Sequence, residues 1–272
     1  MVRVHLCLSL RQVLVFMLCV SGFWAGMQKE ANAADLAVVI DDVGYNKMLG
    51  LRAVNLPDQV TLAVLPFAPH TRSLLPLAVD AGHEILIHQP MQPQPSPHAR
   101  HEHDTLTLDM SAEEFGGMLR RADEAVPVRL GVSNHTGSLL TAHYPPMLML
   151  MRHLRERGLF FLDSRTTAQT VALRAADEVG VVALKRDVFL DNVRTRSAID
   201  KQFRQALNKA RSQGYAILIG HPYGVSLDYL EARLANLPAD VSLVKLSELA
   251  NRRRAVLAQA PDPASPRISL GQ

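Results

Sequence analysis

From Leu36 onward, short apolar and β-branched runs alternate with longer stretches in which apolar positions recur every three or four residues. The short runs are Leu36–Ile40, Val60–Leu65, Glu84–His88, Leu130–Ser133, Leu159–Leu162, Val181–Leu184, Ala216–Ile219 and Val241–Leu246. Several are apolar on both faces, as parallel strands buried on both sides must be. The stretches between them carry the period of amphipathic helices. This alternation predicts βα units around a parallel sheet, seven or eight strands in one domain.

Helix ends are written into the same pattern. Ser111 with Glu114 predicts a capping box ahead of Phe115, Met118 and Leu119. Ser197 with Asp200 predicts the start of a helix whose buried face is Ile199, Phe203, Leu207 and Ala210. Gly158 and Gly214 stand where left-handed C-terminal caps belong, each just before a strand. Two segments fall outside the alternation. Pro90 to Asp104, with four prolines and then His98, His101 and His103, reads as an exposed loop. Its histidines are able to bind metal, but a solvated excursion is the better reading, because a short His tract without a scaffold defines no coordination geometry. Residues 251–272, with Arg252, Arg253, Arg254 and three prolines, read as a helix end and then a disordered tail.

Composition narrows the classes. The chain has 272 residues, 48% apolar and 20% charged, enough to bury a sizeable core. Its formal charge is +3, and without Arg3, Arg11, Lys29 and Glu30 the balance is 26 basic to 25 acidic residues. That excludes a nucleic-acid binder held by phosphate contacts. Residues 1–33 read as an export signal: Arg3 and Arg11 precede the apolar run Val13 to Val20, and Ala31-Asn32-Ala33 is a small-x-small cleavage site. Cleavage after Ala33 is expected, giving a periplasmic or secreted protein; an uncleaved anchor is the alternative. Cys7 and Cys19 lie in this segment, so the mature chain would have no thiol, and the bulky Leu18 before Cys19 argues against lipidation. No later stretch is apolar for long enough to span a membrane.

The residues that follow the apolar runs carry the candidate chemistry. Asp41-Asp42 follows Ile40, His88 follows Ile87, Asn134-His135 follows Ser133, Asp163 follows Leu162, Asp187 lies beyond Leu184, and His221 follows Gly220. In parallel α/β architectures the carboxyl ends of strands open onto one face, where ligands bind. Singly, an aspartate there is a helix cap and a histidine a backbone partner. Together, three histidines and an aspartate pair on separate strands are what a mononuclear metal site requires.

These residues resemble a known family. Asp41-Asp42-x-Gly44 after one strand, and Gly82-His83-Glu84-Ile85-Leu86-Ile87-His88 at the next but one, look like the first motifs of NodB-type polysaccharide deacetylases. The runs Ile40–Tyr45, His88–Met91, Asn134–Ser138, Phe161–Thr167, Phe189–Asn192 and Ile219–Pro222 are similar, in order from about Leu36 to Leu249, to the divergent branch of that family. The resemblance implies an α/β fold, a distorted (β/α) barrel of about seven parallel strands. It also implies a divalent metal, most simply zinc, and hydrolysis of an N-acetyl group on an envelope or extracellular polysaccharide. Carried over by position, Asp41 is the general base, Asp42 and His88 are metal ligands, and His221 is the acid that protonates the leaving amine. The family's second metal histidine is here Gln92, a poor ligand for a borderline ion; His135 is expected to complete the set. Asn134, Asp163 and Arg165 are expected substrate contacts, with Asp163 also able to orient His221 or cap a helix. Arg165 or Lys185 would replace the arginine that holds the family's base. A glycan-binding envelope protein that keeps the fold without turnover is the competing reading, and a nuclease or phosphatase fits poorly without a phosphate-cradling loop.

Overall fold

The computed structural model describes residues 33–96 and 104–259, and its elements follow the predicted alternation. In chain order they are β1 (Ala34–Val43), α1 (Lys47–Val54), β2 (Thr61–Val64), α2 (Thr71–Asp80), β3 (Ile85–Met91), α3 (Ala112–Ala125), β4 (Gly131–Thr136) and, past a 3₁₀ turn at Leu140–Ala142, α4 (Tyr144–Glu156). There follow β5 (Phe160–Asp163), α5 (Ala172–Val179), β6 (Ala183–Lys185), β7 (Val188–Phe189), α6 (Arg196–Gln213), β8 (Tyr215–Gly220), α7 (Gly224–Leu234), β9 (Val241–Leu243) and α8 (Leu246–Gln259). The expected export signal, the tract His98, His101 and His103, and residues 260–272 lie outside the described residues. No described helix is long and apolar enough to cross a membrane.

Every strand pair is parallel, and the sheet runs β6-β5-β4-β3-β2-β1-β8-β7, with β9 added to the start of β1. The expected barrel is therefore present with eight strands on its path rather than about seven. The difference lies in one stretch of chain. Arg186 N–H donates to Asp163 O on β5 at 2.9 Å, whereas the next residue, Asp187, donates to Ile217 O on β8 at 2.9 Å. Here β6 and β7 are two halves of one run that leaves one sheet edge and joins the other, so together they fill one stave.

Period-two alternation divides the core into two layers. One holds strand residues packed under the helices, among them Leu36, Val38, Ile40, Ile87, Val132, Phe161, Ala183 and Leu218. The other fills the curled interior with Ala37, Val39, Ala63, Leu86, Leu162, Leu184, Ile217 and Ile219, closed by Leu246, Leu249 and Ala250 of α8. The helix end expected at the start of residues 251–272 is the last part of α8, which continues to Gln259, and Arg252 pairs with Asp35 at the start of β1.

The capping box forms as predicted, Ser111 Oγ accepting from Glu114 N–H and Glu114 accepting in return from Ser111 N–H. The other predicted start shifts by two residues: Thr195, not Ser197, caps α6 by accepting from Ala198 N–H. Gly158 and Gly214 take the left-handed conformation expected of them. Pro90 and Met91, expected in an exposed loop, are buried at the end of β3, because Pro90 lends only its carbonyl, which accepts from Leu106 N–H at 2.9 Å.

One partly buried ion cluster ties α3 to α4 and to the approach to β4. Asp123 on α3 meets His153 Nε2 at 2.9 Å, Arg157 Nε at 2.6 Å and Arg129 at 2.8 Å. Burial pushes its carboxyl up, but the His153 hydrogen bond and the charges of His153, Arg129 and Arg157 outweigh burial and hold it below the ordinary carboxylate range. Asp123→Ala is expected to cost about 1–3 kcal/mol in urea unfolding, less than the ~3–5 of a fully buried pair because solvent reaches this one. A folded-state value below the unfolded one stabilises above the ordinary carboxylate range and is lost as pH falls through it. The gap between parent and variant should therefore close in acid.

Candidate metal centre

The site stands where the interior layer of the barrel reaches the carboxyl ends of its strands, and strand parity explains its membership. Asp41 continues the inward row Ala37, Val39; His88 follows Leu86; His221 follows Ile217 and Ile219. Asp42 has the opposite parity and would face the helices in a regular strand. Instead its backbone is left-handed at φ 58°, and the register of β1 on β2 slips between Ile40 and Val43. The bulge re-aims Asp42 into the same opening as Asp41. Gly44 makes the turn possible: its φ is 130°, and a Cβ there would lie 2.3 Å from Thr71 Oγ1.

Asp42, His88 and His135 each offer a ligand atom, and these atoms lie within 4.8 Å of one another. Asp42 Oδ1 is 3.2 Å from His88 Nε2 and 2.8 Å from His135 Nδ1. His88 is oriented from behind by its cross-strand neighbour, Ser133, whose Oγ is 2.7 Å from His88 Nδ1. That contact directs the other ring nitrogen at Asp42, as outer-shell partners of metal-bound histidines do. Burial alone would raise the Asp42 carboxyl, but hydrogen bonding to His135 and His88 holds it well below its ordinary value. One carboxylate and two imidazoles suit zinc and its neighbours, and three protein ligands leave a coordination position open. The donor set therefore fits a divalent ion.

Asp41 and His221 flank this triad. Asp41 is 3% exposed, with Oδ2 3.6 Å from His88 Nε2 and accepting from Ser164 Oγ at 3.4 Å. Among the described residues its Oδ1 accepts no hydrogen bond, and burial raises its carboxyl against the pull of His88 and His221. His221 Nε2 lies 3.7 Å from Asp42 Oδ2, while its Nδ1 meets Asp191 Oδ1 at 2.9 Å. Asp191 is itself anchored, Oδ2 accepting from His221 N–H at 2.7 Å and Ser226 Oγ at 2.8 Å. Burial would lower the imidazole, but Asp191 and the Asp42 and Asp41 charges raise it.

The remaining expectations divide. Arg165 lines the cavity of about 540 Å³ above the triad. Asn134 borders it too, but its amide is spent on structure, Oδ1 accepting from Ser164 N–H at 2.9 Å and Nδ2 donating to Thr136 O at 2.8 Å. Asp163 is fully buried and does not line the cavity; it accepts from Arg165 N–H at 2.8 Å and Thr170 Oγ1 at 2.9 Å. Asp163 shares the parity of Phe161 in the layer under the helices, so it cannot orient His221, and Asp191 does so instead. Asp187 likewise accepts from Ile217 N–H at 2.9 Å. Gln92 is absent from the cavity wall, its Oε1 accepting from Leu108 N–H at 2.8 Å.

Lys185 is also on the wrong face, in the row of Ala183, whereas Arg186 continues the inward row Val182, Leu184. Arg186 lies in the field of Asp41 and donates to Ser164 O at 2.6 Å and Arg165 O at 2.9 Å. Arg186, rather than Lys185, is thus the cation of this stretch that reaches the site. Arg186, Asp191, Ser133 and Ser164 were thus readable from parity and were not found from strand-end position alone.

Comparison with known proteins agrees with this geometry. The divergent polysaccharide deacetylase family model matches residues 38–250. The chain is 39% identical over 237 residues to the uncharacterized protein YibQ of Escherichia coli strain K12, covering 86% of this chain and 73% of that protein. It is 40% identical over 214 residues to an uncharacterized protein of Haemophilus influenzae strain Rd, covering 79% and 76%. Among solved structures, the uncharacterized protein ATU2773 of Agrobacterium tumefaciens C58 superposes with a TM-score of 0.75 at 26% identity, over 81% of this chain and 91% of that one.

Proposed function

The chain belongs to the divergent polysaccharide deacetylase family, and on that premise we propose that it is a zinc-dependent hydrolase removing N-acetyl groups from an envelope or exported polysaccharide. The observation that carries the reading is the convergence of Asp42, His88 and His135, from three different strands, beside a buried carboxylate and an aspartate-backed imidazole.

Asp42, His88 and His135 would hold the ion. When bound, it supplies Lewis acidity, polarising an acetyl carbonyl and making water a better nucleophile near neutral pH. The chain's own groups do the rest. Asp41, with Oδ1 uncommitted and Oδ2 fixed by Ser164, accepts the proton of the attacking water. The water oxygen bonds to the acetyl carbon as the carbon–nitrogen bond breaks. His221, protonated and steadied by Asp191, gives a proton from Nε2 to the departing nitrogen. Acetate and a free amine result.

The test is elemental analysis of untagged protein together with acetate release from N-acetylglucosamine oligomers and peptidoglycan. About one zinc per chain is expected, with release abolished by chelation and restored by added zinc. Glycan binding with stoichiometric metal and no acetate release would instead establish the non-catalytic binding protein.

A further inference from the structure

The floor of the cavity is accounted for by that chemistry, but two cations on its wall are not. Arg165 and Arg194 both line the cavity, and neither guanidinium pairs with a carboxylate among the described residues. Arg194 lies over the Tyr223 ring, its Cζ 3.6 Å from the centroid, and donates to Tyr223 Oη at 2.6 Å. That uses one of its five N–H donors. Tyr223 in turn stacks on His221, with ring centroids 5.4 Å apart and planes at 25°. The Arg194 charge is therefore one ring removed from the group that protonates the leaving nitrogen.

Arg165 is held more deliberately. Its backbone is left-handed at φ 54°, a conformation costing a non-glycine residue about 1–2 kcal/mol. Asp163 accepts from its N–H at 2.8 Å, and Arg186 donates to its carbonyl at 2.9 Å. Ser164 just before it is tied to Asn134, and Thr166 just after it donates to Thr136 O at 2.9 Å. These ties maintain a strained turn that holds Arg165 at the cavity wall, where it and Arg186 share the field of the buried Asp163.

We propose that the substrate is an acidic polysaccharide, bearing a carboxylate or phosphate on the N-acetylated sugar or its neighbour, and that Arg165 and Arg194 grip that group. The proposal rests on the deacetylase reading of the same cavity. Charge-assisted hydrogen bonds of this kind favour the charged ligand by about 10- to 100-fold.

Three tetramers test it on zinc-loaded protein: neutral β-1,4-linked N-acetylglucosamine, the same chain with C6 carboxylates, and its 6-phosphate. One acidic tetramer should exceed the neutral one in kcat/KM by about 10- to 100-fold, chiefly through KM, with the advantage shrinking as salt is raised. Which acidic tetramer wins identifies the anion. Arg165→Asn, in which asparagine suits the left-handed backbone, and Arg194→Gln should each reduce the preference about tenfold, and Arg165→Lys should recover part of it. Thermal melting checks that each variant folds. Equal handling of all three tetramers, or a preference unchanged in both variants, overturns the proposal. Calorimetric binding to Asp41→Asn protein separates the two readings. Arginine-dependent binding of acidic tetramers without acetate release from the parent leaves the anion site standing and removes the deacetylase. Equal acetate release from all three does the reverse.

Discussion

Asp41→Asn is expected to reduce acetate release by about 10²- to 10⁴-fold, the usual contribution of a positioned base, while zinc content stays at the parental level. The second half of the expectation separates base from ligand. Asp41 Oδ2 lies 3.6 Å from His88 Nε2, farther than Asp42 Oδ1 at 3.2 Å, and Asp41 has no place in the triad whose donor atoms cluster within 4.8 Å. The same variant should be more stable than the parent after chelation. Asp41 is 3% exposed with one oxygen unpaired, a costly arrangement for a carboxylate and a cheaper one for an amide. Each kcal/mol recovered raises the melting temperature of a domain this size by about 2–4 °C. Lower activity with higher stability is the pattern of a residue retained for chemistry. Activity within tenfold of the parent would remove Asp41 from the base role, and loss of zinc would make it a ligand.

The fold was legible because its hydrophobic pattern is redundant. Most strands are apolar runs, the helices carry a 3.6-residue period, and an error of three residues at Leu243 or two at Thr195 leaves the architecture intact. The triad was legible from strand ends together with the family resemblance, which marked Asp42 and His88 as ligands and left His135 to complete the set in place of Gln92. What strand-end position could not do was separate the two faces of a strand. Asp163 and Lys185 end their strands as prominently as His88 does, yet they share parity with Phe161 and Ala183 under the helices. Arg186 and Asp191 face inward from a run that changes sheet edge between Arg186 and Asp187, and of that run only Val181–Leu184 reads as a strand in the sequence. Counting by twos from Leu184 reaches Arg186, the cation in the field of Asp41.

Asp42→Asn is expected to weaken zinc affinity by more than about 100-fold, beyond the 10- to 100-fold that loss of an outer-shell partner costs. Asparagine tolerates the left-handed φ of 58° almost as well as aspartate, so the bulge should survive and the loss should report on the ligand alone. Ser133→Ala supplies the contrast. It removes the hydroxyl 2.7 Å from His88 Nδ1 and no ligand, so its effect should fall inside the 10- to 100-fold range. His88→Ala and His135→Ala should each behave like Asp42→Asn, because Asp42 Oδ1 is the atom both imidazoles face. The measurement is a competition titration against a chromogenic chelator, with the melting temperature of each chelated variant as the control for folding. If all four variants bind zinc within threefold of the parent, the ion is held elsewhere. A weaker Ser133→Ala beside an unchanged His135→Ala would mean that His88 keeps its role and that the third ligand must be sought among the other residues of the cavity wall.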